Sequence, residues 1–280
     1  MKVDDREPVV KIPATVVILT KNESRHVARA VSSGAAFAEI LVIDSASTDE
    51  TVLLAEKSGA TVIQFEWDKG YPKKKEWALA HCTHDWVVYL DADEYLTPEL
   101  VDEIRSTVED RTASAFEVPL RYYWCGVELK FGHRVSKRIG MRRSAAYWPR
   151  PDDLHVQNMW EVEGHYQPQV KAGSVRKLSA VLGHQDEDGL YDYFARHNRY
   201  SDWEAHMIAA KDKASLESRS PLGRLAVNAP AKPLLFFAYS YLIRQGFRDG
   251  RAGFDYGLAL AFYYWQIGVK RREIARLVGV

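Results

Sequence analysis

The sequence predicts an α/β fold, a mostly parallel sheet flanked by helices, with a helical extension at the C-terminal end. Three observations carry this reading. Short apolar, β-rich runs occupy residues 15–19, 40–43, 61–65 and 86–90. Stretches of helical character separate them, which is the pattern of βαβ units. Polar residues gather just past the first, second and fourth runs, where open parallel sheets bind their ligands.

Thr15-Val16-Val17-Ile18-Leu19 is apolar without alternation, as expected of a strand covered on both faces. Lys21-Asn22-Glu23-Ser24 ends it, and residues 25–34 read as a helix. Ile40-Leu41-Val42-Ile43 is the second buried strand, stopped by Asp44-Ser45-Ala46-Ser47-Thr48-Asp49. Thr48 is placed to cap the helix that starts near Thr51 and closes at Ser58-Gly59. Residues 61–65 form the third strand, 73–82 a helix and 86–90 the fourth strand. Pro98 opens a further helix to residue 108, at a position where its missing N–H does no harm.

Between residues 116 and 181 aromatic and basic side chains crowd together, among them Tyr122, Tyr123, Trp124, Arg142, Arg143, Tyr147 and Trp148. Short strands and loops that extend the sheet and wall an acceptor site are expected there. From Gly189 onward the pattern is helical, over residues 191–211, 232–245 and 254–269. The chain therefore divides into a catalytic unit, residues 1–185, and a helical extension, residues 186–280.

Composition narrows the function classes. Apolar residues are 46% and charged residues 27% of the 280, which is ordinary for a globular chain. Basic and acidic side chains balance at 38 each, so bulk phosphate binding has no net charge behind it and no nucleic-acid partner is expected. The balance is uneven along the chain: 13 basic and 22 acidic groups in the first 120 residues, 14 and 8 from residue 190 onward. Two cysteines, Cys82 and Cys125, provide neither a disulfide framework nor a multi-cysteine zinc site. Residues 1–11 lack the apolar core of a secretory signal, and no run reaches the ~18 apolar residues of a membrane span. The expected location is cytoplasmic, with peripheral contact at the inner face of the cytoplasmic membrane.

The strongest chemical signal is Leu90-Asp91-Ala92-Asp93-Glu94. Two carboxylates one residue apart, past an apolar strand, suit a single divalent cation, and Mg2+ or Mn2+ matches carboxylate and phosphate oxygens. Standing alone, the pair would equally suit a capped turn before the helix at Pro98. It stands with Asp44 and Asp49 after the second strand and with Lys73, Lys74 and Lys75 before the fourth, where lysine offers positive charge to phosphate.

Three ordered segments, Val17-Ile18-Leu19-Thr20-Lys21-Asn22-Glu23, Ile43-Asp44-Ser45-Ala46-Ser47-Thr48-Asp49-Glu50-Thr51 and Leu90-Asp91-Ala92-Asp93-Glu94, resemble the family 2 glycosyltransferases, whose catalytic domain has the GT-A (nucleotide-diphosphosugar transferase) fold. More narrowly, Gly70-Tyr71, Lys75-Glu76-Trp77-Ala78-Leu79, Asp93-Glu94 and Arg244-Gln245-Gly246-Phe247-Arg248-Asp249-Gly250 resemble the branch of lipopolysaccharide core β-glucosyltransferases. Lys75-Glu76 stands where that branch usually has Lys-Asn, and Val162-Glu163-Gly164-His165 where it has Val-His-Glu.

The resemblance implies a nucleotide-sugar site of Thr20, Asn22, Glu23, Asp44, Ser47, Lys75 and Asp91. In it Thr20 and Glu23 contact the nucleoside, Asp44 the base, and Asp91 the ribose or the metal. Asp93 becomes the principal ligand of Mn2+ or Mg2+, with Asp91 beside it. An inverting transferase also needs a carboxylate to take the acceptor proton. The candidates are Glu161, Glu163, Asp152 and Asp153, with Glu163 first because it occupies the place of the branch's His-Glu pair. His184 is a candidate late metal ligand, an ordinary polar histidine being the simpler reading. Trp124, Trp148 and Trp160 suit either sugar stacking or the core.

The implied activity is transfer of a hexose from a nucleotide diphosphate sugar, UDP-linked, to a glycan or lipid-linked glycan acceptor of the envelope. The rivals are a nucleotidyltransferase of similar fold, which normally carries a glycine-rich basic loop that Thr20-Lys21-Asn22-Glu23 is not, and a non-catalytic glycan-binding or assembly protein. In the tail, Leu234, Leu235, Phe236, Phe237, Leu242 and Ile243 lie near Arg244, Arg248 and Arg251, and aromatics precede Lys270-Arg271-Arg272. Apolar groups beside basic ones suit an anionic membrane surface, with a homodimer contact or packing on the core as the alternatives.

Overall fold

The computed structural model describes residues 10–134, 136–156, 159–163, 167–184, 189–210, 229 and 231–278. Its centre is a seven-stranded sheet. Strands β1 (Ile12–Thr20), β2 (Phe37–Asp44), β3 (Thr61–Gln64) and β4 (Trp86–Asp91) are the four read from the sequence, and they pair in parallel in the order β4-β1-β2-β3. A two-residue strand β5 (Glu94–Tyr95) follows β4. Then come β6 (Ala113–Pro119), the hairpin β7 (Tyr122–Trp124) and β8 (Val127–Leu129), and β9 (Ser136–Arg142). Short strands β10 (Ala146–Tyr147), β11 (Gln169–Val170), β12 (Ser174–Lys177) and β13 (Gly183–His184) complete the set. Strand β9 enters the sheet between β4 and β6 and is antiparallel to both, while β12 runs parallel to β6.

The non-alternating strands are apolar because each face has its own core. On β1, Val16 and Ile18 enter one cluster with Val88, Leu90 and Leu100, while Val17 and Leu19 enter the other with Ile43, Tyr89 and Trp148. Burying one such aliphatic side chain is worth ~1.5–3 kcal/mol, so the sheet's centre is the rigid part from which the polar strand ends project.

Helices α1 (Val27–Ser33), α2 (Thr51–Lys57), α3 (Lys74–Ala78) and α4 (Pro98–Glu109) connect the strands. The cap of α4 is Thr97, whose Oγ1 accepts from the Leu100 N–H at 3.3 Å. At α2 the expected cap does not form. Thr48 gives its N–H to Asn22 Oδ1, and Asp49 instead accepts the Thr51 N–H.

The extension consists of α5 (Leu190–Ala209), α6 (Lys232–Ala238), a π-helical turn at Tyr239–Ile243, a 3-10 turn at Gly246–Asp249 and α7 (Gly250–Val278). The last helix starts earlier and runs further than its apolar pattern suggested. Trp203 and Met207 of α5 pack with Trp148 and Val156, and Tyr256 and Ala259 of α7 pack with Trp124 and Leu129. Trp124 and Trp148 are thus core side chains. The 244–250 motif is a clasp: the Asp249 carboxylate accepts the N–H groups of Lys130 and Phe131, and Gly132 donates to the Arg244 carbonyl. Gly253 lets α7 close on it, since a Cβ there would lie 2.0 Å from the Gly246 carbonyl oxygen. The expected division between residues 185 and 186 falls outside the described residues.

Candidate active site

Parallel register brings the three polar segments to one edge. Thr20 pairs with Asp44, and Leu19 with Asp91, so β1, β2 and β4 end side by side. The first two loops are laced together. Thr20 Oγ1 donates to Asp44 Oδ1 at 2.8 Å, and the Ser47 N–H donates to Asp44 Oδ2 at 2.8 Å. Ser47 Oγ in turn accepts the Asn22 N–H at 2.8 Å, and Asn22, in the left-handed region, turns its Oδ1 to the Thr48 N–H. The Glu23 N–H reaches Thr51 Oγ1 at 2.7 Å, and the Ser24 N–H reaches Asp49 Oδ2. Burial pushes the Asp44 carboxyl up, but hydrogen bonds from Ser47, Thr20 and Gln64 outweigh it and hold the pKa below its ordinary value. Asp44 is fully enclosed, so it organises the loop that frames the cleft.

The lysine run divides. Lys73 is buried in an ion pair with Asp153 at 2.9 Å, and Asp153 also accepts from Tyr71 and Trp203. Lys74 donates to the Thr20 carbonyl and Ser45 Oγ at 2.8 and 2.6 Å and pairs with Glu161 at 3.3 Å. Neither ammonium is open to a phosphate. Lys75 is the one that turns to the motif, its Nζ 3.9 Å from Asp91 Oδ1 and 5.7 Å from the Trp148 ring centre.

Glu163, expected to face the acceptor, has another task in this structure. It is 3% exposed, and its two oxygens accept the N–H groups of Lys75 and Glu76 at 2.9 and 2.8 Å, capping α3 from a distant segment. Burial pushes its carboxyl up. Gly164 and His165 of the same motif lie outside the described residues. Of the other carboxylates, Asp153 is fully enclosed, Asp152 stands 91% exposed in solvent, and Glu161 is 21% exposed. Glu161 accepts from Ser45 and Lys74 through Oε1.

Two residues join the Asp-x-Asp motif from far along the chain. Strand β13 pairs antiparallel with β5, opposing His184 to Glu94, and this brings His184 Nε2 to 3.0 Å from Asp93 Oδ2. Gly183 permits the approach, because a Cβ there would lie 2.2 Å from the Tyr95 ring. Lys137, near the start of β9, reaches Asp91 Oδ2 at 2.5 Å and both Glu94 oxygens at 2.7 Å. Burial opposes both charges, yet Lys137 and Lys75 hold Asp91 far below the carboxylate range, and Asp91 and Glu94 hold Lys137 above the usual ammonium value. By sequence Lys137 belongs to a basic pair, Lys137-Arg138, of the kind that either meets an anionic acceptor or is simply solvated. Its clue was strand direction: an antiparallel β9 must begin beside the carboxyl end of β4.

Among the described residues no group of three or more His, Cys, Asp or Glu side chains is arranged to hold a metal ion. The Asp93–His184 pair still fits one, because Mg2+ and Mn2+ commonly take one or two protein ligands and complete their shell with phosphate and water oxygens.

Comparison with known proteins agrees with this geometry. Glycosyl transferase family 2 matches residues 15–179. An uncharacterised glycosyltransferase of Rickettsia conorii is 51% identical over 88 residues, 31% of each chain. The lipopolysaccharide core biosynthesis glycosyltransferase LpsC of Rhizobium meliloti is 32% identical over 96 residues, covering 33% of this chain and 36% of its own. The matched part thus spans about a third of these curated relatives. Among solved structures, a mannosyltransferase of Pyrobaculum calidifontis in complex with GDP-Man and Mn2+ superposes with a TM-score of 0.54 at 14% identity, over 93% of this chain and 87% of its own. The fold is GT-A.

Proposed function

Because the chain belongs to glycosyl transferase family 2, we propose that it is an inverting hexosyltransferase, moving a hexose from a nucleotide diphosphate sugar, UDP-linked, to a lipid-linked or envelope polysaccharide acceptor. One observation carries the reading: Thr20, Asp44, Asp91, Asp93, Lys75 and His184 meet at the carboxyl ends of β1, β2 and β4. The nucleoside lies along the Thr20–Glu23 and Asp44–Ser47 loops, with Asp91 at the ribose, and the diphosphate points to Lys75 and Asp93. The name of LpsC supports the envelope acceptor.

Asp93 and His184 would hold Mn2+ or Mg2+. Such an ion neutralises the charge that builds on a leaving diphosphate. The acceptor oxygen forms its bond to the anomeric carbon on the face opposite the diphosphate, the bond to the diphosphate oxygen breaks with its electron pair, and a carboxylate takes the hydroxyl proton. We assign that carboxylate to Glu161, which is partly exposed and leaves Oε2 out of its contacts with Ser45 and Lys74. Glu163 then sets the α3 N-terminus and, through it, Lys75.

Residues 1–185 act as the catalytic unit and 186–280 as an extension in this reading. No helix among the described residues is long and apolar enough to cross a membrane. Exposed Leu234, Leu235, Leu242 and Ile243 beside Arg244 and Arg248 support peripheral docking at the inner face of the cytoplasmic membrane, with a homodimer contact as the competing use.

The test is a panel of nucleotide sugars and bare nucleotides, each with and without Mn2+, read by thermal stabilisation and by donor hydrolysis. A ligand at ~100 times its dissociation constant adds ~2.7 kcal/mol, a readily measured shift. Stabilisation by a nucleoside diphosphate sugar, strengthened by Mn2+, is expected. Stabilisation by nucleoside triphosphates alone would turn the reading to nucleotidyl transfer.

A further inference from the structure

Lys137 is a half-buried cation in contact with the Asp-x-Asp motif, and its contacts set it apart from an ordinary surface lysine. Its side chain is 19% exposed and its ammonium lies 2.5 Å from Asp91 Oδ2 and 2.7 Å from both oxygens of Glu94. Glu94 in turn accepts the Asp91 N–H at 2.9 Å, so the three groups form a closed unit at the end of β4. Asp93, one residue away, takes no part in it and turns instead to His184. The two aspartates of the motif are therefore in different electrostatic situations. Asp91 already has a full positive charge against it, and Asp93 has only an imidazole.

We propose that Lys137 is a positioning residue which takes the place of a metal at Asp91, so that a divalent cation is directed to Asp93 and His184 while Asp91 remains an oxygen acceptor for the donor. The idea rests on the metal-assisted reading given above and assigns the partition within it. The physical ground is charge. A second cation brought against Asp91 would meet the Lys137 ammonium at close range, and like charges repel strongly in a partly buried site. Without the lysine Glu94 would lose its counter-charge and Asp91 would keep only Lys75, 3.9 Å away, and divalent cations bind such clusters more tightly as uncompensated acidic charge is added.

The experiment measures Mn2+ binding to the full chain without nucleotide, by the electron paramagnetic resonance signal of free Mn2+, and UDP binding at saturating Mn2+. In Lys137→Met the freed carboxylates should tighten Mn2+ binding at least fivefold, while UDP binding weakens about tenfold because Asp91 is no longer held; Lys137→Arg should restore both. Asp91→Asn should leave Mn2+ affinity within about threefold of wild type, and Asp93→Asn should abolish it. Because Lys137→Met leaves the buried Glu94 without its counter-charge, Lys137→Met with Glu94→Gln is the variant to use if the single change does not fold, and it should show the same loss of UDP binding. If Asp91→Asn removes Mn2+ as completely as Asp93→Asn, or a folded Lys137→Met binds Mn2+ no more tightly, the partition is overturned while metal dependence stands. If the wild-type chain binds no Mn2+ with or without UDP, both the partition and the metal reading fall.

Discussion

His184 Nε2 stands 3.0 Å from Asp93 Oδ2, although the two residues are 91 positions apart. The contact exists because β13 pairs with β5, and because Gly183 lacks the Cβ that would strike Tyr95. An imidazole nitrogen thus lies directly against an oxygen of the second aspartate of the motif. The pair is a hydrogen-bonded contact here, and the proposed function makes it the ligand set of Mn2+ or Mg2+.

If the pair is a ligand set, His184→Ala should weaken Mn2+ binding by roughly 10–100-fold, the range seen when metal sites lose a supporting group. The melting temperature without metal should hardly move, since the side chain lies at a strand end. Isothermal titration with Mn2+ in the presence of UDP decides the matter. Unchanged Mn2+ affinity, with a lower metal-free melting temperature, would make the pair a structural salt bridge.

The strands and the three polar loops were legible because local patterns determine them. Val16 to Leu19 are apolar on both faces, and the polar residues begin where that run ends. His184 was legible as a candidate metal ligand and Lys137 as one of a basic pair, but their places beside Asp93 and Asp91 were not, because each arrives through pairing of distant strands, and no local periodicity reports which strands will meet. Lys73 and Lys74 misled for a related reason. A lysine run looks solvated in sequence, but Asp153 and Glu161, some 80 residues on, supply the counter-charges that bury it. Glu163 was found by motif position, yet its direction depends on α3 having unpaired N–H groups at its start.

The two glutamates should separate cleanly. With Glu161 as the proposed proton acceptor, Glu161→Gln should lower turnover by roughly 10²–10⁴-fold with donor affinity little changed. Glu163→Gln substitutes an amide NH2 for one of two oxygens that face backbone N–H groups, so one hydrogen bond becomes a clash. That should cost about 1–3 kcal/mol of stability and lower donor affinity through Lys75. Turnover loss in Glu163→Gln at unchanged melting temperature, with Glu161→Gln active, would return the base to Glu163.

Asp49 offers a pH test of the laced loops. Its hydrogen bond from Thr51 Oγ1, opposed by desolvation and aided by Ser24, lowers its pKa from 3.8 to about 2. A depressed carboxylate stabilises the fold above its unfolded pKa, and that contribution is lost as pH falls through the folded value. Asp49→Asn should therefore melt below wild type at neutral pH, and the gap should close as pH falls from about 4 to about 2. A gap that is constant over that window would mean that the charge on Asp49 contributes nothing.

The extension poses the last test, and the structure changes which residues it should use. Lys270 lies beside α5, where its ammonium donates to the Asn198 carbonyl and Ser201 Oγ at 2.6 and 2.9 Å, and Arg251 pairs with Asp255 on its own helix. Arg248 lies over the Phe131 ring at 3.9 Å. Lys270→Gln should thus lower the melting temperature and barely affect lipid. The lipid-facing candidates are the apolar side chains: Leu234 and Ile243 are 73% and 71% exposed, and Leu235 and Leu242 are close behind. Each such side chain, transferred from water, is worth ~1.5–3 kcal/mol at full burial, and each basic group near anionic lipid ~1 kcal/mol. Leu234→Ser with Leu235→Ser should therefore reduce co-sedimentation with anionic vesicles more than any single basic substitution, and raised salt should reduce it further. Hydrolysis of a soluble donor should be unchanged in that variant, because α6 packs chiefly on α7 and the π-helical turn. If anionic vesicles at low salt leave the protein in solution, and sedimentation shows a dimer that Leu234→Ser with Leu235→Ser dissociates, the exposed face belongs to a second copy of the chain instead of a membrane.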